Sequence, residues 1–345
     1  MPVTDDLFGL ERPRRLRSAP SGRVSMAMVA SRAGVSGQTV SRVVNDSPRV
    51  DPATRARVEQ AMAELGYRPH RAARALRTGR SQTLGIVATT LATVGNSRML
   101  QATAAAAERR GYALMVVTAV DDVAAAFERL QDQGVDGAIV LNEASALTHA
   151  SDQPEGLRLV VVDAAADSGF RTVSSDHAGG AAAATHHLLQ LGHETVHHVA
   201  GPAGSFAAAE RERGWRESLQ AARVEAPPIV RGDWSAESGH AAAAALEQAS
   251  AVFSANDQMA LGLIRGLADR GRRVPDDVSV IGFDDVPDAA NFRPPLTTIR
   301  QDFAALAEVI VSSLVADIEG ADAGAGVDAV SRVVPTDLIE RSSTR

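Results

Sequence analysis

Between Val24 and Arg68 the apolar residues recur at helical spacing, and each run carries its own start and stop signals. Ser25 is placed to cap a first helix in which Met28, Val29 and Ala30 supply apolar contacts, and Gly34 stops it. Ser36 caps a second helix with Val40, Val43 and Val44 along its buried side, leaving Gln38, Thr39 and Arg42 on other faces. Asp51-Pro52 opens a third, with Val58, Met62 and Leu65 inward and Gly66 as the stop. With Ala33-Gly34-Val35 as the turn between the first two, the triplet predicts a helix-turn-helix over residues 24–68. Short helical triplets also occur in domains that bind nothing, so the pattern alone leaves function open.

Residues 69–82 are Arg-rich with too little apolar surface to fold alone, and read as a hinge. Beyond them, strand-like runs alternate with Ala-rich helical stretches. The runs are Leu84–Ala88, Ala113–Val117, Gly137–Leu141, Leu159–Val162, Val196–Ala200, Ala251–Ser254 and Val278–Phe283. That alternation predicts a parallel α/β architecture over residues 83–340. Roughly 250 residues are more than one sheet usually covers, so two lobes with a cleft are expected.

Charge sharpens this division. Fifteen arginines against seven acidic residues leave residues 1–80 at +8, and twenty against thirty-five leave the remainder at −15, together the −7 of the chain. A basic head on an acidic body suits one domain that meets phosphate and one that does not, although a solvated basic tail has the same signature. Residues 1–23, rich in Pro, Ser, Gly and Arg and without the apolar stretch of a signal peptide, read as a disordered basic leader. Cysteine is absent and no apolar run approaches the roughly 18 residues that span a bilayer, so no disulfide framework and no membrane anchor are expected. The expected location is the cytoplasm.

Several blocks in order resemble one family. Gln38-Thr39-Val40-Ser41-Arg42-Val43-Val44-Asn45 and Ala61-Met62-Ala63-Glu64-Leu65-Gly66-Tyr67 are similar to the headpiece of the LacI (lactose-repressor) family of bacterial transcriptional regulators. Gly232-Asp233-Trp234-Ser235, Ala255-Asn256-Asp257-Gln258-Met259-Ala260-Leu261-Gly262, Pro294-Pro295-Leu296-Thr297-Thr298-Ile299 and Gln301-Asp302-Phe303 resemble its sensor core. The likeness runs from about Val24 to about Leu338. It implies an all-α helix-turn-helix headpiece plus an α/β periplasmic-binding-protein-like sensor of two lobes with parallel sheets, the chain crossing between lobes three times. It also implies a homodimer that binds a pseudo-palindromic operator in double-stranded DNA and changes affinity when a small molecule enters the cleft. No cofactor, metal or catalytic residue is implied.

The headpiece residues suit this role. Gln38 sits in the first turn of the expected recognition helix and offers paired hydrogen bonds to an adenine edge, and Arg42, one turn on, can pair with guanine. Ser36, Thr39, Ser41 and Asn45 complete the expected DNA-facing set. Gly37 departs from the family pattern, which has a large aromatic there, and this bears on the operator sequence rather than the binding mode. In the hinge, Ala72-Ala73-Arg74-Ala75-Leu76 resembles the family segment that becomes helical on DNA and pushes a leucine into the minor groove. Leu76 holds that position, with packing on the sensor domain as the alternative.

By the same resemblance, Asp163, Asn256 and Asp284 match positions that hold sugar hydroxyls, and Trp234 matches an aromatic face for the apolar side of a ring. Helix capping or surface ion pairing is the plainer reading of such carboxylates. Arg211 stands three residues before Gly214-Trp215, where sugar-binding members place a guanidinium; otherwise it pairs with Glu210 or Glu212 on a solvated face. Gln301 and Phe303 match positions near the cleft and also suit core or crossover packing. The expected effector is a neutral polyhydroxylated molecule, a sugar or glycoside, with a galactoside foremost.

Other motifs weigh less. His186, His187, His193, His197 and His198 could suggest zinc, but adjacent histidines on a strand point to opposite faces and no cysteine helps. Gly201-Pro202-Ala203-Gly204-Ser205 lacks the lysine and spacing of a phosphate loop. An enzyme of the same sensor fold would need more than a cleft with carboxylates, and a transport-associated binding protein would need a signal peptide and carry no helix-turn-helix. The polar residues from Leu338 to Arg345 are too few for a coiled coil, which favours a dimer over a tetramer, and Leu306, Val309, Ile310 and Leu314 are candidates for core or dimer packing.

Overall fold

Cap chemistry sets the first three helices. In α1 (Met26–Ala33) the Ser25 hydroxyl accepts from the Met28 amide at 3.3 Å, and Gly34 closes the helix in the left-handed region at φ 66°. Ser36 accepts from Thr39 N at 3.1 Å ahead of α2 (Gly37–Val44), and Asp51 caps α3 (Pro52–Leu65) through Thr54 N at 2.9 Å, with Gly66 as its left-handed stop. Each such cap contributes about 1 kcal/mol. Val29, Ala30, Ala33, Val40, Val43, Val58 and Ala61 form the core. Met28 is a correction: it is 49% exposed, because at about 100° per residue it lies roughly 200° round the helix from Ala30 and falls outside the buried face of Val29, Ala30 and Ala33.

The computed structural model describes residues 24–44, 47–67, 79–119, 122–142, 144, 155–321 and 331–345. The leader, Asn45, Arg68 and hinge residues 69–78, including Leu76, lie outside these. The chain divides into two compact units, Met1–Thr78 and Gly79–Arg345.

Among its described residues the second unit holds two six-stranded sheets. Lobe 1 opens with β1 (Thr83–Ala88), α4 (Val94–Arg109), β2 (Ala113–Thr118), α5 (Val123–Asp132), β3 (Gly137–Val140), β4 (Arg158–Val162) and β5 (Arg171–Ser175). The chain then enters lobe 2 through α6 (His177–Gln190), β6 (His197–Ala200), α7 (Phe206–Ala221), β7 (Val230–Arg231), α8 (Ala236–Ala242), β8 (Ala251–Ser254), α9 (Asp257–Asp269), β9 (Ser279–Asp284) and β10 (Thr297–Gln301). Helix α10 (Phe303–Ala321) and β11 (Ser331–Val334) return to lobe 1, and β12 (Thr336–Ile339) pairs in lobe 2.

Strand order is β11-β5-β4-β3-β1-β2 in lobe 1 and β12-β10-β9-β8-β6-β7 in lobe 2. Every pairing is parallel except β10 with β12. Three crossovers join the lobes, at residues 176, 302 and 335, and two are tied together by Asp176 N donating to Val334 O at 2.8 Å. Leu306, Ile310 and Leu314 are buried in the lobe 1 core with Met99, Ile86 and Ile139, so α10 is a core helix of that lobe. Its Asp317 accepts two hydrogen bonds from Arg171 of β5, at 2.7 and 2.9 Å. The final residues are not a loose tail: Ser343 is fully buried, donating to Val280 O at 2.6 Å and accepting from Thr297 N at 2.8 Å.

Candidate functional site

Parallel strands present their carboxyl ends on one side of each sheet, and the two lobes turn those sides toward one another. Asp163 follows β4, Asn142 lies two residues past β3, Asn256 two past β8, and Asp284 and Gln301 end β9 and β10. The cleft between them is lined by all seven residues expected there: Asp163, Arg211, Trp234, Asn256, Asp284, Gln301 and Phe303. Asp163 (φ 56°), Trp234 (φ 74°) and Asp284 (φ 110°) occupy backbone regions that side-chain-bearing residues rarely adopt. Strain of this kind gathers where a side chain must be aimed.

A continuous polar chain crosses the cleft. Asp163 Oδ1 contacts His177 Nε2 at 2.9 Å, and His177 Nδ1 accepts from Arg211 Nε at 3.3 Å. Arg211 faces Asp284 at 3.5 Å and donates to the Ala255 carbonyl, and Gln301 Nε2 donates to Asp284 Oδ1 at 2.6 Å. Arg211 is 4% exposed, its guanidinium 3.8 Å from the Phe283 ring centre and 5.4 Å from that of Trp234. Glu210 and Glu212 pair instead with Arg213, Arg216 and Arg231, so the surface ion-pair reading of Arg211 does not hold. Burial raises the Asp284 carboxyl above its usual range, opposed first by the Arg211 charge and then by the Gln301 hydrogen bond. Beneath it, Asp257 is raised well above the carboxylate range by burial and by the charge of Asp284, while holding Thr298 Oγ1 and Val286 N.

Asn256 has a second occupation. Its Oδ1 caps α9 through Met259 N at 2.9 Å and its Nδ2 donates to Trp234 O at 3.0 Å, so it lines the cleft while bracing the turn that carries the indole. Gly201 lets that indole approach, since a Cβ there would overlap the Trp234 ring. The loop from Gly201 to Ser205 thus supports Trp234 and, through the Ser205 cap, α7.

His177 and Asn142 were not singled out in the sequence. His177 opens an Ala-rich helix and carries no motif; the crossover at Asp176 is what aims it at Asp163. Asn142 donates its Nδ2 to Asn96 Oδ1, and Asn96, fully buried, donates its own Nδ2 to Thr90 O at 2.9 Å. A carbonyl only accepts, so the order of donors in this chain leaves the Asn142 oxygen as the amide's acceptor end. The cleft therefore combines acceptors, a fixed guanidinium and the aromatic faces of Trp234 and Phe303.

Three of the five histidines have partners within the fold. His198 is fully buried, stacked 4.8 Å from Phe253 and 5.3 Å from Trp215, and desolvation lowers its pKa to about 4. His193 bridges Ser250 and Ser279, and His187 meets Thr344. Among the described residues no group of three or more His, Cys, Asp or Glu is arranged to hold a metal ion. Nor is any described helix long and apolar enough to cross a membrane.

On the first unit, Ser36, Gln38 and Arg42 are exposed and Thr39 and Ser41 half-buried, all on or just ahead of α2. Gln38 and Arg42 lie four positions apart, on one face of the helix.

The family of bacterial regulatory proteins named for lacI matches residues 25–70, and the periplasmic binding protein-like domain matches residues 185–344. The lactose operon repressor of Escherichia coli (strain K12) is 35% identical over 334 residues, 93% of this chain and 91% of the relative. The chain belongs to the LacI family. A crystal structure of the Lac repressor dimer bound to operator and the anti-inducer ONPF superposes with a TM-score of 0.81 at 33% identity, covering 94% of this chain and 99% of that one. A complex of the transcriptional regulator CelR with cellobiose gives a TM-score of 0.67 at 32% identity, covering 93% and 100%. As a LacI-family member, the chain is a DNA-binding transcriptional regulator whose helix-turn-helix unit is joined to a periplasmic-binding-protein-like sensor.

Proposed function

We propose that this regulator is a cytoplasmic homodimeric repressor of a pseudo-palindromic operator, controlled by a neutral polyhydroxylated effector, a sugar or glycoside. The observation that carries the effector class is the polar chain Asp163–His177–Arg211–Asp284–Gln301 facing Trp234 and Phe303 across one cleft. Arg211 offsets the Asp284 charge and His177 hydrogen-bonds Asp163, so both carboxylates are engaged within the cleft, which suits a neutral ligand. Sugar hydroxyls both donate and accept, and an aromatic plane covers the C–H face of a ring. The Lac repressor dimer on its operator and CelR with cellobiose support the same reading from relatives. A galactoside is the first member of the class to try, and cellobiose the second.

Ser36, Gln38, Thr39, Ser41 and Arg42 are proposed to meet the major groove, joined by Asn45, with Leu76 entering the minor groove at the operator centre. The role is regulation rather than catalysis. A thermal-shift screen of sugars on the wild type and on Asp284→Ala tests the effector site. A sugar that raises the melting temperature of the first and not the second is expected. Equal shifts in both proteins would place the ligand elsewhere, and a screen in which only charged metabolites shift the wild type would overturn the effector class.

A further inference from the structure

One cation near the cleft has no part in the polar chain. Arg98 stands on α4 in lobe 1, yet its Nη1 donates to backbone carbonyls of lobe 2, Asp285 O at 3.0 Å and Asp284 O at 3.4 Å. Its guanidinium lies 4.7 Å from the ring centre of Phe303, the first residue of the returning helix α10. The Asp285 carboxylate does not compete for it, being occupied by Arg300 at 2.7 Å and Arg341 at 2.6 Å. The turn it grips carries Asp284 and is wound through two consecutive positive-φ residues, at 110° and 48°. Such a turn needs support from outside itself.

We propose that Arg98 is a cross-lobe positioning residue that holds the Asp284 turn of lobe 2 against Phe303 of lobe 1, keeping the cleft together before any ligand arrives. Backbone carbonyls suit this purpose: they are acceptors at every pH and their positions follow the main chain, so the clasp reads the placement of β9 itself. The guanidinium suits it too, since its planar face stacks on the ring while its edge donates. The hydrogen bond of His177 with Asp163 also bridges the lobes close to the site. Losing the Arg98 contacts raises the share of molecules with parted lobes. If the cleft is the effector site, apparent effector affinity falls in proportion to the competent fraction, and the inference rests on that reading only for this consequence.

The test needs no effector. The chain has no cysteine, so spin labels on Glu108→Cys in α4 and Glu237→Cys in α8, both exposed, report the distance between lobes in the full-length protein. Labelled protein is diluted into unlabelled protein so that each assembly carries one pair. Pulsed dipolar spectroscopy is expected to show one narrow distance for Arg98, an added longer-distance population for Arg98→Met, and recovery toward the narrow distance for Arg98→Lys. Methionine keeps the apolar stem over Phe303 and removes the donors, so a role confined to packing within lobe 1 would leave the distances unmoved. An unchanged distribution in Arg98→Met would overturn the assignment, as would an Arg98→Lys distribution no nearer to wild type than that of Arg98→Met. Circular dichroism of each variant establishes that it is folded before distances are compared. A failed sugar screen with a positive distance result would count against the sugar-effector reading alone.

Discussion

Replacing Arg211 with methionine separates the electrostatic part of the cleft from its packing. The methionine stem fills the channel between Phe283 and Trp234, but Asp284 loses the charge that most opposes its desolvation. Breaking a buried pair by removing one partner costs about 3–5 kcal/mol, because the remaining charge is left in a poor solvent. Asp284 keeps Gln301 at 2.6 Å and the more distant charge of Arg98, which places the expectation at the lower end, about 3 kcal/mol at pH 8. The pH dependence follows from the sign of the shift. A carboxyl whose folded pKa is raised binds its proton more tightly folded than unfolded, so its contribution is fully present below the unfolded pKa and lost as pH rises through the folded one. Arg211→Met raises the folded value further than wild type, so the destabilisation should shrink as pH falls and Asp284 becomes neutral. Protonating Asp284 also relieves Asp257, whose carboxyl its charge pushes up. Urea denaturation of both proteins at intervals from pH 8 to pH 5 measures the gap directly. A gap below about 1 kcal/mol at pH 8, or one that stays constant down to pH 5, would refute the buried-pair account.

Three further outcomes are expected. Arg42→Ala should weaken operator binding by about 1–3 kcal/mol while leaving affinity for random DNA and its salt dependence largely intact, as fluorescence anisotropy on the two DNAs will read; equal losses on both would assign Arg42 to phosphate instead. His198, held near pKa 4 by burial, favours the folded state less as pH drops from 6.5 toward 4, so wild type should lose about 3 kcal/mol over that interval that His198→Phe does not; parallel acid profiles would remove histidine from the cause. Gly214→Ala places a methyl group into the Ala178 carbonyl where α7 crosses α6, and because backbone cannot yield as a side chain can, a loss of about 3 kcal/mol or more in chemical denaturation is expected; a loss under about 1 kcal/mol would show that the helices can part.

Much of this protein is local and was therefore legible without coordinates. The caps Ser25, Ser36 and Asp51 and the stops Gly34 and Gly66 act within four residues of themselves, and all five stand where the sequence puts them. The buried strands β1, β3, β4, β8 and β9 are largely apolar runs because both their faces are covered, and such runs announce themselves. The family blocks pointed to seven cleft residues, and those seven share one cavity. What stayed hidden depends on partners distant in the chain. Strands β5 and β10 read as polar, Arg-Thr-Val-Ser-Ser and Thr-Thr-Ile-Arg-Gln, yet Thr172, Ser174, Thr297 and Thr298 are buried in the sheets beside the crossovers. Strands β7, β11 and β12 are too short to carry a period. His177, Asn142 and Arg98 have ordinary neighbours in sequence, and their importance arises where crossovers and strand ends bring two lobes face to face. Hydrogen-bond geometry across that gap is set by the packing of whole sheets, and no window of sequence contains it.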